Sequence, residues 1–198
     1  MDRSMKRILV SLVAMGVLTA RLGAQTVSTV VSEAFEPYGA TVDLLTNAYY
    51  FTDSANNRVL KYDTATATLS VVVDGTTGSG QLSSPSGIAL RQGPGVARLV
   101  VADTGNHMIR AVDPDSGLVT TLAGTSRGNL DGPGTTAQFN FPAGIALDSL
   151  SGTIYVADAL NNELRGIDAT NQVTTWRQDF ISRRASPSAI PARRLWVA

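Results

Sequence analysis

One unit occurs three times in this 198-residue chain, and that repetition constrains the fold more than any other feature. The first copy reads PYGATVD (37–43), then YYFTDSANNRVLKYD (49–63). The second reads PSGIALR (85–91), then LVVADTGNHMIRAVD (99–113). The third reads PAGIALD (142–148), then IYVADALNNELRGID (154–168). Pro37, Pro85 and Pro142 open the units, and Asp53, Asp103 and Asp158 recur within them. Constant blocks at variable spacing place the insertions in loops.

Each unit offers four short strands. In the third copy, strand a is Gly144–Leu147 and strand b is the β-branched Thr153–Ala157. A tight turn follows at 158–162, then strand c at Glu163–Ile167 and strand d at Val173–Trp176. Short strands separated by Gly, Asn and Asp turns predict an all-β chain. Beyond the first two dozen residues no window sustains a helical period. Four strands recurring about every 40–50 residues are the pattern of a propeller blade.

The motifs P-x-G-I-A-L-D, I-Y-V-A-D-x-x-N-N-x-[IL]-R-x-[IV]-D and V-T-T-L-A-G resemble the NHL repeat. The third copy carries the first two through Asp168, and Val119–Gly124 supplies the last. The stretch from Gly128 to Pro142 is similar to the long connector between such repeats. The resemblance covers residues 37–176 and implies a partial NHL-type β-propeller: about three four-stranded blades plus one extra N-terminal strand, Thr26–Val31. NHL propellers commonly have about six blades and a closed ring needs at least four. Two chains could complete such a ring, which makes a homodimer one expectation. After Thr175 the pattern breaks off, and residues 177–198 read as a disordered Arg-rich tail or as a truncated or altered terminus.

Arg3, Lys6 and Arg7 precede 13 uncharged residues, Ile8–Ala20, and a small-residue exit at Leu22-Gly23-Ala24. That is the layout of a secretory signal over 1–24, cleaved after Ala24 or alternatively Ala20. The run is shorter than the ~20 residues of a membrane span. The expectation is a secreted or periplasmic product comprising blades over 25–176, with no membrane span after cleavage. A formal net charge of 0 divides into +3 over residues 1–24, −7 over 25–169 and +4 over 170–198. The acidic centre would repel a nucleic acid backbone, so no nucleic-acid partner is expected.

Zero Cys excludes disulfide frameworks, thiolate metal sites and cysteine nucleophiles, and a lone His107 excludes multi-imidazole zinc sites. No cofactor, metal site or catalytic residue is expected. The zinc-binding histidines of NHL-like peptide-amidating lyases have no counterpart here. Asp53, Asp103 and Asp158 end strand b, where each carboxylate could accept N–H groups of the following turn. The other reading is a carboxylate ring near the axis that binds metal or substrate. Asn57, His107 and Asn162, four residues on, could close the turn or take positive φ, and His107 also reads as a ligand or base. Arg110 and Arg165 share one repeat position and are expected to pair with acids of neighbouring blades. Asp113-Pro-Asp-Ser-Gly117 reads as a β-turn rather than a calcium loop, because it lacks the remaining ligands.

Strands of alternating direction place b-to-c turns and d-to-a connectors on the same end. The long connectors make that end the expected binding surface, with Arg127, Asn129 and Asp131 as further candidates. The expected function is a secreted, non-catalytic module that binds protein or glycan through its loop face. The alternatives are a propeller lyase or lactone hydrolase with a channel metal, or a fragment without independent function.

Overall fold

The computed structural model describes residues 36–75, 80–93 and 98–176. The signal-like segment, the strand expected at Thr26–Val31 and the Arg-rich tail lie outside the described residues. The described chain forms three antiparallel sheets in sequence order. The first blade is β1 (Pro37–Asp43), β2 (Ala48–Asp53), β3 (Arg58–Asp63) and β4 (Thr68–Asp74). The second is β5 (Pro85–Arg91), β6 (Arg98–Asp103), β7 (Met108–Val112) and β8 (Val119–Ala123). The third is β10 (Pro142–Leu147), β11 (Ile154–Asp158), β12 (Glu163–Ile167) and β13 (Gln172–Trp176), with β9 (Gly132–Pro133) added outside β13. The third blade therefore has five strands rather than four. The long connector folds back so that Gly132 and Pro133 pair with Val173 and Gln172, and the Gly134 N–H donates to the Asn171 carbonyl at 2.7 Å. Among the described residues, no helix is long and apolar enough to cross a membrane.

Strand alternation gives each blade two faces. The forward face of the first blade (Ala48, Tyr50, Val59, Val73) packs on the rear face of the second (Ile88, Leu99, Val101, Val112). The forward face of the second (Val100, Ala102, Ile109, Ala123) packs on the rear face of the third (Ile154, Val156, Ile167, Val173). The core thus lies between the blades. Buried Val, Leu and Ile contribute about 1.5–3 kcal/mol each there.

The inner strands approach closely because the P-x-G glycines carry no side chain. A Cβ on Gly39 would lie 2.5 Å from the Ser86 carbonyl oxygen, and one on Gly87 would lie 2.4 Å from that of Ala143. Hydroxyls bracket the same contacts. Thr52 Oγ1 donates to the Ser86 carbonyl at 2.6 Å, and Ser86 Oγ donates to the Ala143 carbonyl at 2.9 Å. Thr104 Oγ1 donates to the Pro142 carbonyl at 2.7 Å.

Asx turns occur on the end away from the long connectors. The first carboxylate oxygens of Asp43, Asp63, Asp113, Asp148 and Asp168 accept the N–H two residues on, from Leu45, Ala65, Asp115, Leu150 and Thr170. The Ser116 and Asp115 N–H groups hold the Asp113 carboxyl below its ordinary range, and its second oxygen lies 2.7 Å from Arg98 Nη1. The Gly117 N–H donates to the Asp113 carbonyl at 2.9 Å, so that stretch is a five-residue α-turn rather than the four-residue β-turn expected.

Candidate loop-face site

Asp53, Asp103 and Asp158 end β2, β6 and β11 and are fully buried. Each carboxylate joins three parts of its own blade. It accepts the backbone N–H of the segment entering strand a, from Glu36 (3.2 Å), Ser83 (2.7 Å) or Asn140 (2.7 Å). It accepts the side-chain amide three residues on, from Asn56 (2.8 Å), Asn106 (2.9 Å) or Asn161 (2.8 Å). It also faces a guanidinium: Arg58 Nε at 2.7 Å, Arg110 Nε at 3.6 Å or Arg165 Nη1 at 2.9 Å.

These bonds revise the expected partners of the aspartates. Their carboxylates reach back to the preceding connector, not forward to N–H groups of the following turn. In blades two and three that turn is a 3-10 turn that closes on its own backbone, His107 N–H to Thr104 carbonyl and Asn162 N–H to Ala159 carbonyl. The arginines likewise pair with acids of their own blade rather than of neighbours. A buried carboxylate costs several kcal/mol unless it is paired and hydrogen-bonded, so each junction is a structural requirement of its blade.

The three junctions are not equal. Arg165 is fully buried over the Phe139 ring, 5.0 Å from its centroid. It donates to Asp158, to Asp131 Oδ1 at 2.7 Å and to the carbonyls of Gln138 and Leu130. Arg110 instead donates to Thr121 Oγ1 at 2.7 Å and only approaches Asp103; the Nε of both arginines lacks a hydrogen-bond partner. Burial therefore dominates at Asp103 and raises its carboxyl pKa from the ordinary 3.8, despite Asn106, Ser83 and Arg110. At Asp131 burial also pushes upward, but bonds from the Thr175 N–H, the Thr175 hydroxyl and Arg165 outweigh it and lower the pKa.

Asn57, His107 and Asn162 all take left-handed backbone, at φ 56°, 60° and 54°. The first two also hold the next blade. Asn57 Oδ1 accepts the Ser84 N–H at 2.7 Å, and His107 Nδ1 accepts the Phe141 N–H at 3.1 Å. His107 stacks edge-on against Phe141 at 4.8 Å. This bond uses the Nδ1 lone pair, so in this arrangement His107 performs the amide's part. Asn162 is exposed, and its side chain has no partner among the described residues.

The loop end is as the strand directions require. Asn161 Nδ2 donates to the Gly128 carbonyl at 2.7 Å and Asn106 Nδ2 to the Gln81 carbonyl at 3.1 Å, so b-to-c turns and d-to-a connectors meet. Arg127 and Asn129 project from that connector and are exposed. Asp131 is exposed as well, with its carboxylate bonded to Arg165 and Thr175. Among the described residues, no group of three or more His, Asp or Glu is placed to hold a metal ion.

No family model matches the chain. It is 38% identical over 78 residues to NHL repeat-containing protein 2 of Gallus gallus, covering 39% of this chain and 10% of that protein. It is 34% identical over 115 residues to the Bos taurus protein of that name, covering 57% of this chain and 16% of that protein. Together with the blade architecture, this likeness settles what the units are. The three units are NHL repeats. The chain spans a small part of those relatives' length, so their likeness concerns the repeats. Among solved structures, a protein of unknown function from Bacteroides thetaiotaomicron matches with TM-score 0.60 and 20% identity, covering 71% of this chain and 35% of that one. A chain of a nidogen/laminin complex matches with TM-score 0.57 and 20% identity, over 75% and 51%. A gluconolactonase from Xanthomonas campestris matches with TM-score 0.58 and 17% identity, over 75% and 50%. At these identities the likeness is one of fold.

The NHL repeats also reveal what motif reading passed over. Asn56, Asn106 and Asn161 are the same residue in every copy, three positions after the aspartate, and that recurrence was the available signal. Arg58 has no such signal. It stands two residues before the position of Arg110 and Arg165, where the first copy has Leu60, yet it reaches the same carboxylate.

Proposed function

We propose that this chain is a secreted or periplasmic, non-catalytic NHL-repeat module that binds protein or glycan through its loop end. The observation carrying this reading is the locked connector. Arg165, Asp131, Asn161 and β9 hold residues 124–141 rigidly, while Arg127 and Asn129 remain exposed at the surface beside the 54%-exposed Leu130. A cation, an amide and an apolar side chain held on a rigid loop suit surface recognition, since little ordering entropy is lost on binding. A chain of the same fold occurs in a nidogen/laminin complex, which is consistent with protein recognition.

Arrays of glycans and of extracellular proteins test the reading. A specific ligand should bind the full chain, and Arg127→Ala with Asn129→Ala should weaken it at least about tenfold at unchanged melting temperature. Binding that survives the double substitution would contradict it. So would lactone hydrolysis or lyase turnover abolished by Asp103→Ala but retained by another destabilised variant. For the export part, N-terminal sequencing of the extracytoplasmic product should begin at Gln25. Retention in the cytoplasm, or an intact Met1 outside it, would overturn that part.

A further inference from the structure

The third blade presents a forward face of the same kind that holds the next blade in the other two. Its first row is Gly144, Ala157, Leu164 and Trp176, paired in register across β10–β13. The second row is Ala146, Tyr155, Gly166 and Thr174. In the second blade the corresponding Ala102, Ile109 and Ala123 are fully buried against the third blade. Here Gly144 and Ala157 are exposed, Leu164 is 45% exposed and Trp176 51%. Gly39 and Gly87 each abut the backbone of the next inner strand, whereas a Cβ on Gly144 would touch only Ala157 Cβ, at 3.4 Å. Asn162 holds the left-handed conformation with which Asn57 and His107 accept an N–H from the following blade, and it accepts none.

A face of this form fits the rear side of another blade. In the described chain the rear faces of the second and third blades are already covered. That of the first is covered at its centre, where Leu60 is 1% exposed, and open beside it: Val71 is 50% exposed, and Tyr49 and Tyr62 are half-buried. Tyr38, 55% exposed, occupies the inner-strand position at which Ser86 and Ala143 present carbonyls to the preceding glycine. We propose that the forward face of the third blade docks the rear face of the first blade of a second copy of this chain. Two such head-to-tail contacts close around a two-fold axis, with Tyr38 of each copy against Gly144 of the other. The Asn162 bond is not part of this contact, because the Glu36 N–H is already held by Asp53 and Pro37 has none.

The chain has no cysteine, so introduced thiols report the contact directly. The full chain carrying Tyr38→Cys and Gly144→Cys should be converted by a short bismaleimide into a covalent pair. Either single substitution should cross-link at least about tenfold less. Gly144→Trp, at a position of ordinary backbone with open space around it, should abolish pairing and keep the circular dichroism spectrum. Leu164→Lys should do the same by a different chemistry. Pairing that persists in both variants would overturn the proposal, as would equal cross-linking by the single-cysteine chains. A ladder of higher species would replace the closed pair by an open-ended array and would also overturn it.

Discussion

The second and third blades follow one pattern and differ in what surrounds them. In the second, the forward row is sealed and the guanidinium stands 3.6 Å from its aspartate. In the third, the forward row is open and both terminal nitrogens of the guanidinium are engaged, Nη1 with the aspartate at 2.9 Å and Nη2 with a second acid from the connector at 2.7 Å. The repeat therefore specifies the blade, while neighbours determine how much each position contributes. A small or apolar residue on a forward row is a mark of an interface, since the blade's own sheet does not need it.

The largest difference should come from the two arginines. Arg165→Met leaves Asp158 buried without its cation and should cost about 3–5 kcal/mol. Arg110→Met removes a weaker pairing and should cost about 2 kcal/mol. Denaturant melts of both variants check this, and equal losses would erase the distinction. Next come the forward rows. Ile109→Ala should lose about 2–5 kcal/mol by opening a cavity, and Leu164→Ala less than about 1 kcal/mol at concentrations where the chain is monomeric. Gly87→Ala places a methyl against two backbone atoms and should cost about 1–3 kcal/mol. Gly144→Ala should be nearly neutral.

Smaller still are the effects at the junctions. His107→Asn should be tolerated to within about 0.5 kcal/mol, because Asn57 makes the same bond and Asn accepts positive φ. His107→Ala should lose about 1 kcal/mol. The pH dependence separates two acids. The folded-state pKa of Asp103 is raised, so its stabilisation is full below about 3.9 and is lost as pH rises through the folded value. That of Asp131 is lowered, so its stabilisation is present above about 3.9 and is lost as pH falls through the folded value. Melting curves from pH 3 to 7 should become flatter for Asp103→Asn on the neutral side and for Asp131→Asn on the acid side.

Blade number, strand order and most strand ends were legible, because repeated apolar blocks and Asn/Asp turns are local signals. β9 was not, because two residues in a Gly-rich connector carry no strand period and pair only with the completed third blade. The αL conformation at Asn57, His107 and Asn162 was legible from their residue types. Their role in holding the next blade was not, since it depends on contacts between repeats. Asp131 read as an exposed surface candidate and is exposed, but its bonds to Arg165 and Thr175 were not legible, since no local pattern encodes that reach across more than 30 residues.

The central claim is that the open forward face of the third blade is an interface. Light scattering coupled to size exclusion, run on the full chain over a concentration series beside Gly144→Trp, tests it most directly. The account predicts a concentration-dependent rise to twice the chain mass for the unaltered chain, and a monomer at every concentration for the variant. A cooperative, well-folded monomer of the unaltered chain at about 100 μM, where even a weak specific pair should form, would contradict it.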